Sequence, residues 1–126
     1  MDRLFVTIGA LSAGLGVAAG AFGAHALRAR VEPRLLEVFE TGARYQMYHA
    51  LALIAVGLVA TRWQGSLLSA SGWLFVAGTL LFSGSLYAMT FTGIRALGAI
   101  TPLGGVCFIA GWVCLAVTAM RSTPTP

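Results

Sequence analysis

An all-α, up-down bundle of four membrane-spanning helices, with an amphipathic interfacial helix between the first and second spans, is the fold this sequence predicts. Three observations predict it. Apolar stretches at residues 4–27, 47–61, 67–91 and 96–120 fill most of the 126 positions. The composition is 58% hydrophobic and only 10% charged, whereas about a quarter of a soluble domain is charged. The later stretches are joined by a few residues each, which makes neighbours antiparallel. A helix needs roughly 20 apolar residues to cross a ~30 Å hydrocarbon core. The second stretch reaches that length by starting near Tyr45, so the spans are taken as about 4–27, 45–62, 67–91 and 96–120. All of 1–126 then forms one membrane domain with no room for a separate catalytic unit outside the bilayer.

The first span carries tiny residues at Gly9, Ala13, Gly16, Gly20 and Gly23, in steps of four and three along one face. Such a stripe lets helix backbones approach closely in lipid, where dispersion and hydrogen bonding replace the hydrophobic effect as the drive for association. The start, Met1-Asp2-Arg3, and the later Ala24-His25-Ala26 loosely imitate a secretory signal. The apolar run exceeds the 7–15 residue core of a signal peptide and the charged start is nearly neutral, so a retained span is expected.

Residues 28–46 form the one substantial polar segment. Pro33 suits a first helical position. From there Leu35, Leu36, Phe39, Ala43 and Met47 share one face while Arg34, Glu37, Thr41 and Arg44 share another, with Glu40 and Arg44 spaced for an i,i+4 ion pair. This amphipathic helix, about 33–46, either lies at the membrane surface or continues directly into the second span. Trp63-Gln64-Gly65-Ser66 and Gly93-Ile94-Arg95 are short turns, and Trp63 and Trp73 fit an interfacial belt at one membrane face. Thr101 is placed to cap, and Pro102 to start, the last helix, leaving 96–100 as an irregular lead-in. The last span repeats the small-residue device at Gly104, Cys107, Gly111, Cys114 and Thr118. Cys107 and Cys114 would lie about 10 Å apart along a helix axis, too far for a disulfide. They are read as small packing residues, and no metal is expected on them.

The net charge of +4 comes from eight Arg and four acidic residues without Lys, and the Arg are dispersed. That is no nucleic-acid footprint; it is a set of orientation signals and headgroup anchors. An Arg-only chain lacking Lys and Asn, whose codons are AT-rich, points to a GC-rich bacterial genome. Arg28, Arg30, Arg34, Arg44 and Arg95 flank the first and third loops against Arg3, Arg62 and Arg121 opposite, which puts those loops in the cytoplasm and the termini outside.

Antiparallel threading brings the polar residues His25, Tyr45, Gln46, His49, Ser83, Ser85, Tyr87 and Thr101 to the first-loop end of the bundle. Polar groups at membrane depth are costly unless they pair or face a cavity, so this cluster is the candidate site. His25 and His49, each read as about one turn inside the same interface, are its sharpest pair. Two imidazoles suit haem or metal ligation, a proton relay or structural hydrogen bonding; the structural role is the expectation, and no cofactor is assigned. No GxSxG, HExxH, phosphate loop or CxxC occurs, and no carboxylate pair lies within the spans, so hydrolytic and nucleotide chemistry are not expected and no catalytic residue is assigned.

Four motifs carry a resemblance. They are Gly20-Ala21-Phe22-Gly23-Ala24-His25-Ala26-Leu27, Tyr45-Gln46-Met47-Tyr48-His49-Ala50-Leu51-Ala52, Phe82-Ser83-Gly84-Ser85-Leu86-Tyr87 and Gly98-Ala99-Ile100-Thr101-Pro102-Leu103-Gly104-Gly105. In these, and in their order, the chain resembles the domain-of-unknown-function 423 family of small bacterial inner-membrane proteins, similar to the eukaryotic transmembrane protein 256. The resemblance implies a multi-pass inner-membrane protein of unassigned activity, with no catalytic residue to transfer. Two functions are expected from residues and resemblance together. The first is a non-enzymatic accessory, assembly or oligomerising subunit whose partners are the lipid bilayer and a membrane protein or second copy. The alternative is a small-molecule, ion or haem-binding protein using the cluster around His25 and His49.

Overall fold

The computed structural model describes residues 1–123 and is all-helical over them. Four long helices follow in order: α1, Asp2–His25; α2, Pro33–Val59; α3, Ser66–Thr92; α4, Thr101–Arg121. Single 3₁₀ turns at Leu27–Ala29 and Arg95–Ala99 lead into α2 and α4. Among the described residues three segments are long and apolar enough to cross a membrane: Asp2–Ala29, Ser66–Thr92 and Arg95–Arg121. The helix α2 is as long as α3 at 27 residues, but Arg44, Tyr45, Gln46 and His49 interrupt its apolar character.

Local chemistry sets the boundaries. Extended Glu32 precedes α2, whose first turn opens on Pro33, where the missing N–H costs nothing. Gly65, at φ 135°, leads into α3, and Gly93, at φ 71°, ends it in the left-handed region with its N–H on the Met89 carbonyl. A side chain at either glycine would be strained. The amphipathic segment does not form a helix of its own: it is the first half of α2, continuous with the apolar half. Phe39 and Ala43 turn inward while Arg34, Glu37 and Arg44 are exposed. The expected Glu40–Arg44 ion pair is not formed; the Glu40 side chain lies against Gly23 of α1, whereas Arg44 points outward. Thr101 does not cap α4 either, and spends its hydroxyl on Ser85.

Helices pack in chain order, α1 along α2, α2 along α3 and α3 along α4, while α1 and α4 are not packed together. The resulting zigzag has α2 and α3 at its centre. Glycine notches set the spacings. A Cβ on Gly9 would lie 2.6 Å from the Ala50 carbonyl oxygen, and one on Gly57 would lie 2.6 Å from that of Asp2, so α1 and α2 touch backbone to backbone. Elsewhere aromatic rings fill the notches: Phe5 on Gly72, Phe39 on Gly23, Tyr87 on Gly42, Phe75 on Gly111 and Phe108 on Gly78. The first stripe therefore divides. Gly9, Gly16 and Gly23 are buried at the α2 contact and Ala13 is half-buried, but Gly20 is exposed with nothing within 4 Å. In the last span Gly104, Gly111 and Thr118 are buried, and Cys107 and Cys114 are free and half-buried. The apolar core, Phe5, Ala52, Leu53, Val56, Leu68, Phe75 and Phe108, occupies the half of the bundle nearer the chain ends.

Candidate functional site

Four separate clasps tie the helices together, three of them in the other half and the fourth, on His49, against Phe75 and Phe108 at the edge of the core. In the first, the Tyr87 hydroxyl donates to Gln46 Oε1 at 2.6 Å while Gln46 Nε2 donates to the Ser12 carbonyl at 2.9 Å. One amide thus joins α1, α2 and α3, and because a carbonyl only accepts, its orientation follows from its partners. In the second, Ser83 donates to the Gly42 carbonyl at 2.7 Å, an α3–α2 contact buried from all sides. In the third, Ser85 and Thr101 share a 2.6 Å hydroxyl contact between α3 and α4, with Ser85 also donating to the Phe82 carbonyl on its own helix.

The fourth clasp is built on His49, which is only 4% exposed. Its Nδ1 lies 2.8 Å from the Tyr45 carbonyl and its Nε2 accepts from Trp112 Nε1 at 3.1 Å. One partner can only accept and the other only donate, so the ring is the neutral imidazole with its proton on Nδ1. Its face stacks on Phe108, centroids 3.5 Å apart and planes 5° from parallel, and Phe75 approaches at 5.5 Å. A helix-to-helix hydrogen bond in lipid contributes about 1 kcal/mol, and here it is joined to a stacked aromatic contact. Tyr45 contributes its carbonyl and its ring, which lies 6.3 Å from His49 and 4.7 Å from Phe82; the side chain itself is 37% exposed.

The two histidines are not brought together. Gly9 lies beside Ala50 and Ile54, Gly16 beside Gln46 and Met47, and Gly23 beside Phe39 and Glu40. That register sets His25 level with Glu37, so His49 lies about twelve residues, roughly 18 Å, further along the axis. His25 is exposed and, among the described residues, makes no side-chain hydrogen bond, whereas His49 is enclosed. The matching depth expected from sequence fails because α2 begins at Pro33 and runs alongside the end of α1. Among the described residues no three His, Cys, Asp or Glu side chains converge as metal ligands would.

Sequence reasoning missed Trp112, Phe108, Ser12 and Gly42. Two of these act through backbone carbonyls, which carry no side-chain signal. Phe108 and Trp112 did leave one, an i,i+4 aromatic pair flanking Gly111 in a helix otherwise read through its small residues.

The family model described as "Protein of unknown function (DUF423)" matches residues 19–105. The UPF0382 membrane protein YwdK of Bacillus subtilis (strain 168) is 47% identical over 120 residues, covering 94% of this chain and 98% of its own length. The chain belongs to the DUF423 family. Two further UPF0382 membrane proteins, from Staphylococcus aureus (strain bovine RF122 / ET3-1) and Staphylococcus haemolyticus (strain JCSC1435), are 44% and 43% identical, each over 94% of this chain and 97% of their own length. No solved structure matches this chain. This DUF423 protein is a membrane protein, as its relatives are named and its apolar helices require. The matched segment contains the side chains of the first three clasps and His49, and leaves Phe108 and Trp112 beyond it.

Proposed function

We propose that this DUF423 protein is a non-enzymatic accessory, assembly or oligomerising subunit of the bacterial inner membrane, crossing it four times with both termini outside. Support for a fourth span comes from α2, which packs along α1 from Gly57 at one end to Phe39 at the other, so a bilayer crossed by α1 is crossed by α2 as well. Arg44 and Arg62 then bracket about 27 Å of α2 and its C-terminal turn, close to the hydrocarbon thickness. The helix's first three turns, with Arg34, Glu37 and Glu40, fall in the headgroup region beside Arg28 and Arg30. The orientation follows from the Arg bias. An alkaline-phosphatase fusion after Arg121 should be active and a fluorescent-protein fusion there dark; the reverse would invert the orientation.

The observation that carries the subunit reading is an open valley between α1 and α3. It encloses about 380 Å³ and is lined by Ile8, Leu11, Leu15, Val76, Leu80 and Gly84. Its two walls meet only towards their ends, where Phe5 sits on Gly72 and Phe22 lies 6.5 Å from Phe91, and nothing lies within 4 Å of where a Cβ on Gly84 would sit. Close approach at small residues is how membrane helices associate, and the Tyr87 hydroxyl and Gln46 amide on the floor are already spent, on one another and on the Ser12 carbonyl. The proposed occupant is a helix of a second copy, whose α4 presents Val106, Ile109 and Val113 to lipid. In a Cys107→Ala, Cys114→Ala background reconstituted in bilayers, cysteine at Leu11 or Leu80 should cross-link to cysteine at Ile109 of another copy. Pairs made with Leu51 in place of Leu11 or Leu80 should not. Equal or absent cross-linking would overturn the homo-oligomer.

A further inference from the structure

At the end opposite His25, a cleft of about 420 Å³ opens between the α2–α3 turn and the end of α4. Arg62 enters it from the turn and Arg121 from the last residue of α4, with Trp63, Ser66 and Leu67 along its wall. Both arginines are exposed, and among the described residues neither has a carboxylate partner; the ion pair found there joins Asp2 to the terminal amine of Met1 at 3.7 Å. Asp2 belongs to the neighbouring hollow on the other side of Trp63, Gln64 and Gly65, not to this cleft.

The wall between the arginines adds further donors. The first main-chain bond at the start of α3 runs from Ser69 N–H to the Gly65 carbonyl, so the N–H groups of Ser66 and Leu67 have no acceptor within the helix. No side chain caps them, and the Ser66 hydroxyl makes no hydrogen bond among the described residues. Thr118 and Ser122 also line the cleft but turn their protons onto the Cys114 and Thr118 carbonyls, so they supply no competing donor. Two guanidinium groups, one from the α2–α3 turn and one from α4, and unused donors between them, with no carboxylate among the described residues of the lining, are complementary to one compact, multiply charged oxygen anion. Trp63 at the rim and the position just beyond the apolar core place that anion at headgroup level.

We propose that this cleft binds a phosphate group, held between Arg62 and Arg121 over the first turn of α3. Two sources present such a group at this depth, the headgroup of an anionic phospholipid and free inorganic phosphate. The test uses the full chain in a neutral detergent, with thermal unfolding followed by far-ultraviolet circular dichroism. Phosphatidylglycerol, phosphatidylcholine and inorganic phosphate are titrated separately, with chloride matching ionic strength throughout. A midpoint raised by phosphatidylglycerol but not by phosphatidylcholine or phosphate identifies a lipid site; a rise with inorganic phosphate identifies the free anion. In either case Arg62→Gln with Arg121→Gln should weaken apparent binding at least tenfold, while Arg30→Gln, at the opposite end, should leave it unchanged. Because Arg62 and Arg121 are exposed, the double variant should unfold at its usual midpoint without ligand. No shift with either phosphate source, or an equal loss in Arg30→Gln, overturns the proposal.

Discussion

Leucine at Gly9 or Gly104 is expected to destabilise the bundle by about 3 kcal/mol or more, at the upper end of what overpacking costs. The Cβ at Gly9 would lie 2.6 Å from the Ala50 carbonyl oxygen and 3.0 Å from the Ile54 nitrogen, and the one at Gly104 would fall on the Phe82 backbone. Backbone atoms cannot rotate away as a side-chain tip can, so the helices themselves must separate. The same substitution at Gly14 or Gly20, where nothing lies within 4 Å, should change stability by less than about 0.5 kcal/mol, as exposed positions usually do. Every variant gains the same helix propensity, so the difference isolates packing. Unfolding in mixed micelles of increasing dodecyl sulfate content, read by circular dichroism, measures it. Equal loss at all four positions would contradict the close α1–α2 and α3–α4 contacts.

His49→Ala is expected to cost about 3 kcal/mol, combining a lost ring with an orphaned Trp112 N–H. His49→Phe separates the two contributions, because it keeps a ring against Phe108 but offers no acceptor to Trp112. It should cost about 1 kcal/mol, the worth of one interhelical hydrogen bond in lipid, and Trp112→Phe added to it should cost almost nothing more. In the native background Trp112→Phe should be destabilising by itself, since it strands the imidazole nitrogen. Purely additive effects in this double-mutant cycle would show that the 3.1 Å contact between the two rings contributes no coupling. Tyr48→Ala, at a neighbouring exposed position, is the control for a generic loss of aromatic surface.

The helices and their close contacts were legible from the chain because they rest on features that survive any rotation or register. Apolar length marks a helix for lipid wherever it packs, and Gly9, Gly16 and Gly111 announce an approach without naming the partner. The candidate site was legible only in part. Ser83, Ser85, Tyr87, Gln46 and Thr101 do meet other helices, but in separate clasps rather than one cluster. A second span starting near Tyr45 sets His25 beside His49, whereas a continuous helix from Pro33 moves its polar residues along the axis without altering a letter of sequence. Trp112 shows the complementary difficulty. Whether an indole on a membrane helix meets lipid or a neighbouring imidazole depends on helix rotation, and the small residues on either side of it are compatible with both.

The zigzag order of the helices bears on how the protein is made. Each helix after the first has its principal neighbour immediately before it in the chain, and α1 and α4 do not pack together to close a ring. A helix released into the bilayer during synthesis therefore meets a surface already present, across a connection of only a few residues, so the entropy of bringing the two together is small. Several contacts reach past the nearest neighbour: Phe5 seated on Gly72 and beside Trp73, Phe22 beside Phe91, and His49 stacked on Phe108 and bonded to Trp112. They form only once α3 and α4 have arrived, and each binds the newcomer to the helix before its predecessor. Assembly can thus proceed one helix at a time, with every addition locking the pair laid down before it.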